Sequence, residues 1–227
     1  RREEQTPAAG ATAPPRHPEM LGAVYPFPLI EDGDFDIPSA FCSDATGDEI
    51  ASRAGQSFCL SIEARRIPAT ACNVILRKNP TAARKIVVCA HIDTREGTPG
   101  ASDDGSGTVV LLLLARLLRD YRGKLGIEIA ALNGEDHYSV AGQKDYLSRY
   151  GDGLKAAALA VNIDDVGYRE GKTAYSFYEC PEALKKQAAH AFAAFPGLME
   201  GPPWFQGDHM IFVQSGVPSV AFTAERM

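Results

Sequence analysis

Five places in the chain carry acid or imidazole groups at the borders of apolar runs. They are His91 and Asp93, Asp103 and Asp104, Glu135 and Asp136, Asp164 and Asp165, and Asp208 and His209. Any one of them is weak evidence of chemistry, since Asp is a common cap and turn residue. Five that converge beyond one sheet edge imply a shared occupant. Oxygen and imidazole donors without a thiolate suit zinc, with manganese or cobalt as substitutes. Asp103, Asp136 and Asp164 together carry three negative charges, and neutral His91 and His209 add none. Two divalent cations bring four positive charges, and the one left over is neutralised by a bridging hydroxide. The arithmetic favours two metals with Asp103 shared between them, a spacing of about 3.5–4 Å at which such pairs activate water and polarise a carbonyl. Glu135 is left without a metal to bind. A spare carboxylate beside activated water is a general base, and later the proton donor to a leaving amine.

These residues need a frame that brings them together. Asn73–Arg77, Ile86–Ala90, Ile127–Leu132, Ala156–Ile163, Thr173–Tyr178 and Ser219–Thr223 read as strands, several as continuous β-branched runs buried on both faces. Helices are expected at Thr108–Asp120, at Val140–Arg149, after Pro181, and briefly after His209. In the third of these, Leu184, Ala188, Ala191 and Phe195 form one stripe. The helix after Gly107 is almost wholly apolar, so it is expected to be buried all round. Alternating strands and helices indicate an α/β fold, a mostly parallel mixed sheet sandwiched by helices. Such sheets hold their sites beyond the carboxyl ends of the strands, where His91 and the acids lie.

The remainder of the chain is quieter. Residues 1–28, rich in Pro and Ala, read as a linker. Residues 29–66 read as a small β-rich lobe with a short helix near Asp48–Ala54, and residues 67–227 as the catalytic domain. A net charge of −6 over 227 residues argues against nucleic acid. No apolar run is long enough for a membrane span. Five cysteines without a Cys-x-x-Cys lean towards free thiols and a cytoplasmic, reducing compartment. Neither oligomeric state nor side-chain specificity is legible.

Ala-His-Ile-Asp, Pro-Gly-Ala-Ser-Asp-Asp-Gly-Ser-Gly, Gly-Glu-Asp, Asn-Ile-Asp and Gly-Asp-His occur in that order between Asn73 and Thr223. This series resembles the co-catalytic zinc exopeptidases of the aminopeptidase Y type, which include bacterial leucyl aminopeptidases and glutamate carboxypeptidases. The resemblance implies the zinc-exopeptidase (phosphorylase-like) fold and a peptide substrate. It implies that His91 and Asp164 hold one zinc, that Asp136 and His209 hold the other, and that Asp103 bridges them. It makes Glu135 the base, with a bridging hydroxide as nucleophile, and Asp93 the partner that orients His91. It also implies a cis peptide at Asp103–Asp104. The chain departs from the pattern in three respects. Asp136 stands where Glu is usual and is one methylene shorter. The usual helices before the first strand are missing, and residues 29–62 look like the tail of a protease-associated domain. The chain also stops just after a strand, which by resemblance leaves the domain short of a loop and a helix.

Blander roles compete for some of these residues. Asp104 reads as a helix cap and Asp165 as structural, while His137 reads as surface or as a neighbour of the site. Cys89 reads as core. Tyr138, Tyr178, Trp204 and Phe205 serve either packing or a substrate pocket, with packing favoured. An aminopeptidase is the expected activity. A carboxypeptidase, a glutaminyl cyclase with one zinc, and a non-catalytic binding module are the alternatives.

Overall fold

The computed structural model describes residues 42–61, 63, 68, 70–95, 97–136 and 140–225. The chain divides into two compact units, residues 1–68 and 69–227. In the first, the described residues carry α1 (Asp44–Ser52), where the side chain of Ser43 accepts from the Thr46 amide as an N-cap. The expected linker, and the expected lobe up to residue 41, lie outside the described residues.

The second unit is built on seven strands: β1 (Val74–Lys78), β2 (Lys85–His91), β3 (Gly126–Leu132), β4 (Ala157–Ile163), β5 (Thr173–Tyr178), β6 (Leu198–Glu200) and β7 (Ser219–Ala224). Their order in space is β1-β3-β2-β4-β7-β5-β6. The neighbours β3, β2, β4 and β7 run parallel, and β1 pairs antiparallel with β3. On the other side β5 is antiparallel to β7 and parallel to β6. The three-residue β6 has no counterpart among the expected strands, because Leu-Met-Glu is too short to show a period.

Three longer helices, α2 (Gly105–Leu117), α3 (Ala141–Tyr150) and α4 (Glu182–Phe192), and the short α5 (His209–Gln214) join the strands. In β2, Val87 and Cys89 join a core cluster with Tyr146 of α3 and Phe212 of α5. The alternate residues Val88 and Ala90 join Leu111 of α2. The strand is therefore buried on both faces, as its unbroken apolar run requires. Chain order reverses here: β3 follows β2 on one side, and β4 then returns to the other. The carboxyl ends of β2 and β4 thus form a topological switch point, a natural crevice for a ligand.

The apolar helix departs from expectation. Leu111 is buried, but Val109, Leu112, Leu113 and Leu117 are between 53% and 79% exposed. A helix laid on a sheet buries one stripe, and among the described residues of this unit nothing covers the opposite one. The composition of α2 alone does not reveal which of its faces meets the sheet.

A buried charge sits at the far end of the strands. Glu128 of β3 is 2% exposed, 2.6 Å from Arg77 Nε on β1 and 3.2 Å from Lys85 Nζ on β2. The Tyr146 hydroxyl donates to its other oxygen, and the Arg77 guanidinium lies 4.3 Å from the centre of the Tyr150 ring. Burial works to raise the Glu128 pKa, but Tyr146, Arg77 and Lys85 outweigh it and hold the group below its ordinary value. Glu128→Ala is expected to cost about 3 kcal/mol, the low end for a broken buried pair, because Arg77 can turn partly to water. Urea denaturation should show a lower midpoint at unchanged slope. A loss under ~1 kcal/mol would mean the carboxylate contributes little.

Candidate metal centre

Asp104 explains how two distant loops meet. Its carboxylate accepts from the Gly107 amide at 2.8 Å, capping α2, and from the Asp165 amide at 3.2 Å beyond β4. Gly107 permits the contact, since a Cβ there would stand 2.2 Å from the Ile163 carbonyl oxygen. The Ser102 hydroxyl donates to the Asp165 carboxylate, and the Asp103–Asp104 peptide is cis. Asp103 is thereby presented beside Asp164, with His91 at the end of the neighbouring β2.

Ligand atoms of His91, Asp103 and Asp164 all lie within 4.8 Å of one another. His91 Nε2 is 2.9 Å from Asp103 Oδ1 and 3.7 Å from Asp164 Oδ1. The nearer contact is not at hydrogen-bonding angles, which leaves Nε2 a buried nitrogen without a hydrogen-bond partner. The ring is oriented from behind, Nδ1 lying 2.9 Å from the Asp93 carbonyl oxygen. Glu135 Oε2 is 3.9 Å from His91 Nε2.

Asp93 does more than orient His91. Its main-chain oxygen holds the ring, and its carboxylate oxygen is 3.8 Å from Nδ1. That carboxylate also accepts from the Gly134, Glu135 and Asp136 amides at 2.6, 3.2 and 3.0 Å. Three amides turned towards one anion knot the loop carrying Glu135 to the loop after β2. Asn73 adds a tie, accepting from the Asn133 amide and donating to the Gly142 carbonyl.

Among the described residues, Asp136 and His209 are not part of the close cluster. The Asp136 carboxylate is 3.8 Å from Arg95 Nε and keeps one buried oxygen without a hydrogen-bond partner. His209 is fully buried, packed between the rings of Tyr178 at 4.5 Å and Trp204 at 4.9 Å. Its Nε2 is 3.0 Å from the Trp204 carbonyl oxygen, and its Nδ1 has no hydrogen-bond partner. Nδ1 and Asp164 Oδ2 lie 3.3 and 3.5 Å from the point where a Cβ on Gly207 would stand, so only glycine leaves this space open. Gly207 has φ +104°, which also favours glycine.

Tyr178 and Trp204 are packed here, Tyr178 donating to the Trp204 carbonyl and accepting from its amide. Phe205 is 73% exposed. Cys89 is buried in β2, its thiol directed at Asn162 and Val161. His137 and Tyr138 lie outside the described residues. Two residues were not anticipated. Arg95 meets Asp136, and Gln143 of α3 donates at 2.7 Å to the fully buried Asp208. Gly-Asp-His pointed to the place of Asp208, but no local pattern links it to Gln143, 65 positions away.

The electrostatics call for a cation. Burial pushes Glu135 up to about 8; His91 opposes this, while Asp208, Asp164 and Asp136 add to it. Burial also lifts Asp104 to about 8 and Asp208 to about 7, and raises Asp136. Burial alone would lower the His91 pKa, but Asp103, Asp164 and Asp93 overrule it and drive the group upward. Burial lowers His209, keeping that imidazole neutral and fit to ligate. In the absence of metal a proton on His91 balances the crowded carboxylates, and a divalent cation of the zinc type, taking its place among the buried nitrogen and oxygen atoms that lack hydrogen-bond partners, fits the same set of donors.

Because the Asp93 carboxylate holds three loop amides, Asp93→Ala should speed hydrogen exchange at the Gly134, Glu135 and Asp136 amides by about 10- to 100-fold. The His91 ring should keep its place, because the main-chain contact to Nδ1 survives. Exchange followed by NMR checks this; unchanged rates at those three amides would leave the carboxylate's role with His91 alone.

An α/β sheet with an acid- and imidazole-lined crevice at its switch point defines a metallohydrolase-like domain. The sequence matches the profile of peptidase family M28 over residues 73–227, and the chain belongs to that family. Aminopeptidase YwaD of Bacillus subtilis is 27% identical over 169 residues, 67% of this chain and 35% of that protein. The crystal structure of BSAP, a zinc aminopeptidase from Bacillus subtilis, superposes with a TM-score of 0.57 at 27% identity, covering 67% of this chain and 39% of that one. Porphyromonas gingivalis glutaminyl cyclase gives 0.56 at 25% identity, covering 66% of this chain and 60% of that one. The chain thus spans little more than a third of the length of the two Bacillus proteins.

Of the described residues, no helix is long and apolar enough to cross a membrane.

Proposed function

We propose that residues 69–227 form the catalytic domain of a zinc exopeptidase acting as an aminopeptidase on peptides. The observation that carries this is the set of His91, Asp103 and Asp164 ligand atoms within 4.8 Å of one another in a chain of this family. The likeness to YwaD and BSAP favours removal of amino-terminal residues. His91 and Asp164 would hold one cation and Asp136 and His209 a second, with the Asp103 carboxylate available to either. Zinc, when bound, supplies the Lewis acid that polarises the scissile carbonyl and makes water acidic near neutral pH. Glu135 takes the proton from the attacking water and passes it to the departing amine. Asp93 keeps Glu135 in place through the three loop amides, and Asp104 keeps Asp103 beside Asp164.

Hydrolysis of leucyl-p-nitroanilide, abolished by a chelator and restored by zinc, is the expected result. Zinc binding without hydrolysis of any aminoacyl anilide would defeat the aminopeptidase reading. One observation favours a second reading, a glutaminyl cyclase: only one three-residue metal cluster is assembled among the described residues. Cyclisation of a peptide with amino-terminal Gln, without anilide hydrolysis, would select it.

A further inference from the structure

Arg95 is not explained by the catalytic roles above. It lies two residues after Asp93, whose carboxylate pins the Gly134–Asp136 amides. That knot holds Arg95 against Asp136, Nε to Oδ1 at 3.8 Å, with the Asp136 side chain only 11% exposed. The position beside this carboxylate, where a second dication would be held, thus already has a positive neighbour. A guanidinium is permanently charged and cannot yield by losing a proton. The shorter side chain of Asp136 also ties its carboxylate close to its own backbone, within reach of Arg95. His209, the other residue assigned to that position, has its Nε2 turned to the Trp204 carbonyl. The His91, Asp103 and Asp164 atoms, by contrast, are already gathered.

We propose that Arg95 is a positioning residue that competes with the second metal ion for Asp136. The two metal positions are therefore unequal: the one at His91, Asp103 and Asp164 fills first, and the one at Asp136 and His209 fills only at higher zinc. This rests on the metal-site reading given above. Availability of zinc then sets how much of the protein carries the complete pair.

The test is a calorimetric zinc titration of the metal-free chain and of Arg95→Gln and Arg95→Lys, with folding checked by circular dichroism. The unaltered chain should bind one zinc tightly and a second more weakly. Arg95→Gln should tighten the weak step by about 10- to 100-fold, the size usual for a group adjoining a ligand. The tight step should stay within about twofold. Arg95→Lys keeps a positive charge, but one that can leave as a proton, so its weak step should fall between those of the unaltered chain and Arg95→Gln. One zinc before and two after Arg95→Gln also supports the proposal. Unchanged constants in Arg95→Gln, or a weaker second step, would overturn it, the latter making Arg95 a support for Asp136. Failure of every variant to bind zinc would overturn the metal-site reading itself, a distinguishable result.

Discussion

Glu135→Gln is expected to lower kcat on an aminoacyl anilide by about 10²–10⁴-fold, the usual contribution of a placed general base. The amide is nearly the same size and keeps the loop amides of Gly134–Asp136 on Asp93, so bound zinc should stay close to its original amount. The carboxylate lies 3.9 Å from His91 Nε2, beside the cluster rather than within it. Without metal, burial holds its pKa at about 8, and neighbouring acids reinforce the shift. A cation in the site opposes both effects and frees the carboxylate to accept a proton near neutral pH. Steady-state kinetics with atomic absorption on the same samples decide the matter. A variant that loses zinc in proportion to activity would make Glu135 a ligand instead of a base.

Metal removal should have the other large effect, on stability. Zinc at a thousand times its Kd stabilises by about 4 kcal/mol. At about 2–4 °C per kcal/mol for a chain of this size, chelation should lower Tm by about 8–16 °C. The loss should grow with pH. Glu135 and Asp104, at about 8, and Asp208, at about 7, hold protons in the folded metal-free state. Unfolded, they release them near pH 4. Asp136 and His91 are shifted the same way. The folded state therefore binds more protons than the unfolded one, and stability falls as pH rises from about 4 to about 8. His209 and Glu128, whose pKa values are lowered, act in the opposite sense as pH falls below their unfolded values, but they are two groups against five and Glu128 acts only near about pH 4 and below. Scanning calorimetry at pH 6 and pH 8, with chelator and with zinc, should give a lower metal-free Tm at pH 8 and a larger zinc shift there. A metal-free Tm that rises between these values would refute the crowded-acid picture.

Much of the frame could be read from local pattern. β5 was anticipated over Thr173–Tyr178, and β4 lies one residue inside its expected start. These strands are apolar runs closed by turn residues, so the information is local. β6 was missed because three residues carry no period. The exposed stripe of α2 was missed because an all-apolar helix does not record which face meets the sheet. Arg77, Glu128 and Tyr146 each look ordinary in sequence and become one network only when β1 pairs with β3.

The amino acids in order determined which groups are available: imidazoles and carboxylates at strand ends, no thiolate among them, and more acids than the metal ligands require, Glu135 included. Strand and helix periods determined that those ends share one edge of a sheet, since alternating βα units point parallel strands the same way. The tertiary structure decided which groups approach one another. It joined Asp104 to Asp165, gave the Asp93 carboxylate three loop amides in addition to its place beside the His91 ring, and set Arg95 against Asp136. Such contacts depend on where loops from separate strands arrive, to within a few ångströms, and neither spacing nor periodicity along the chain encodes that distance.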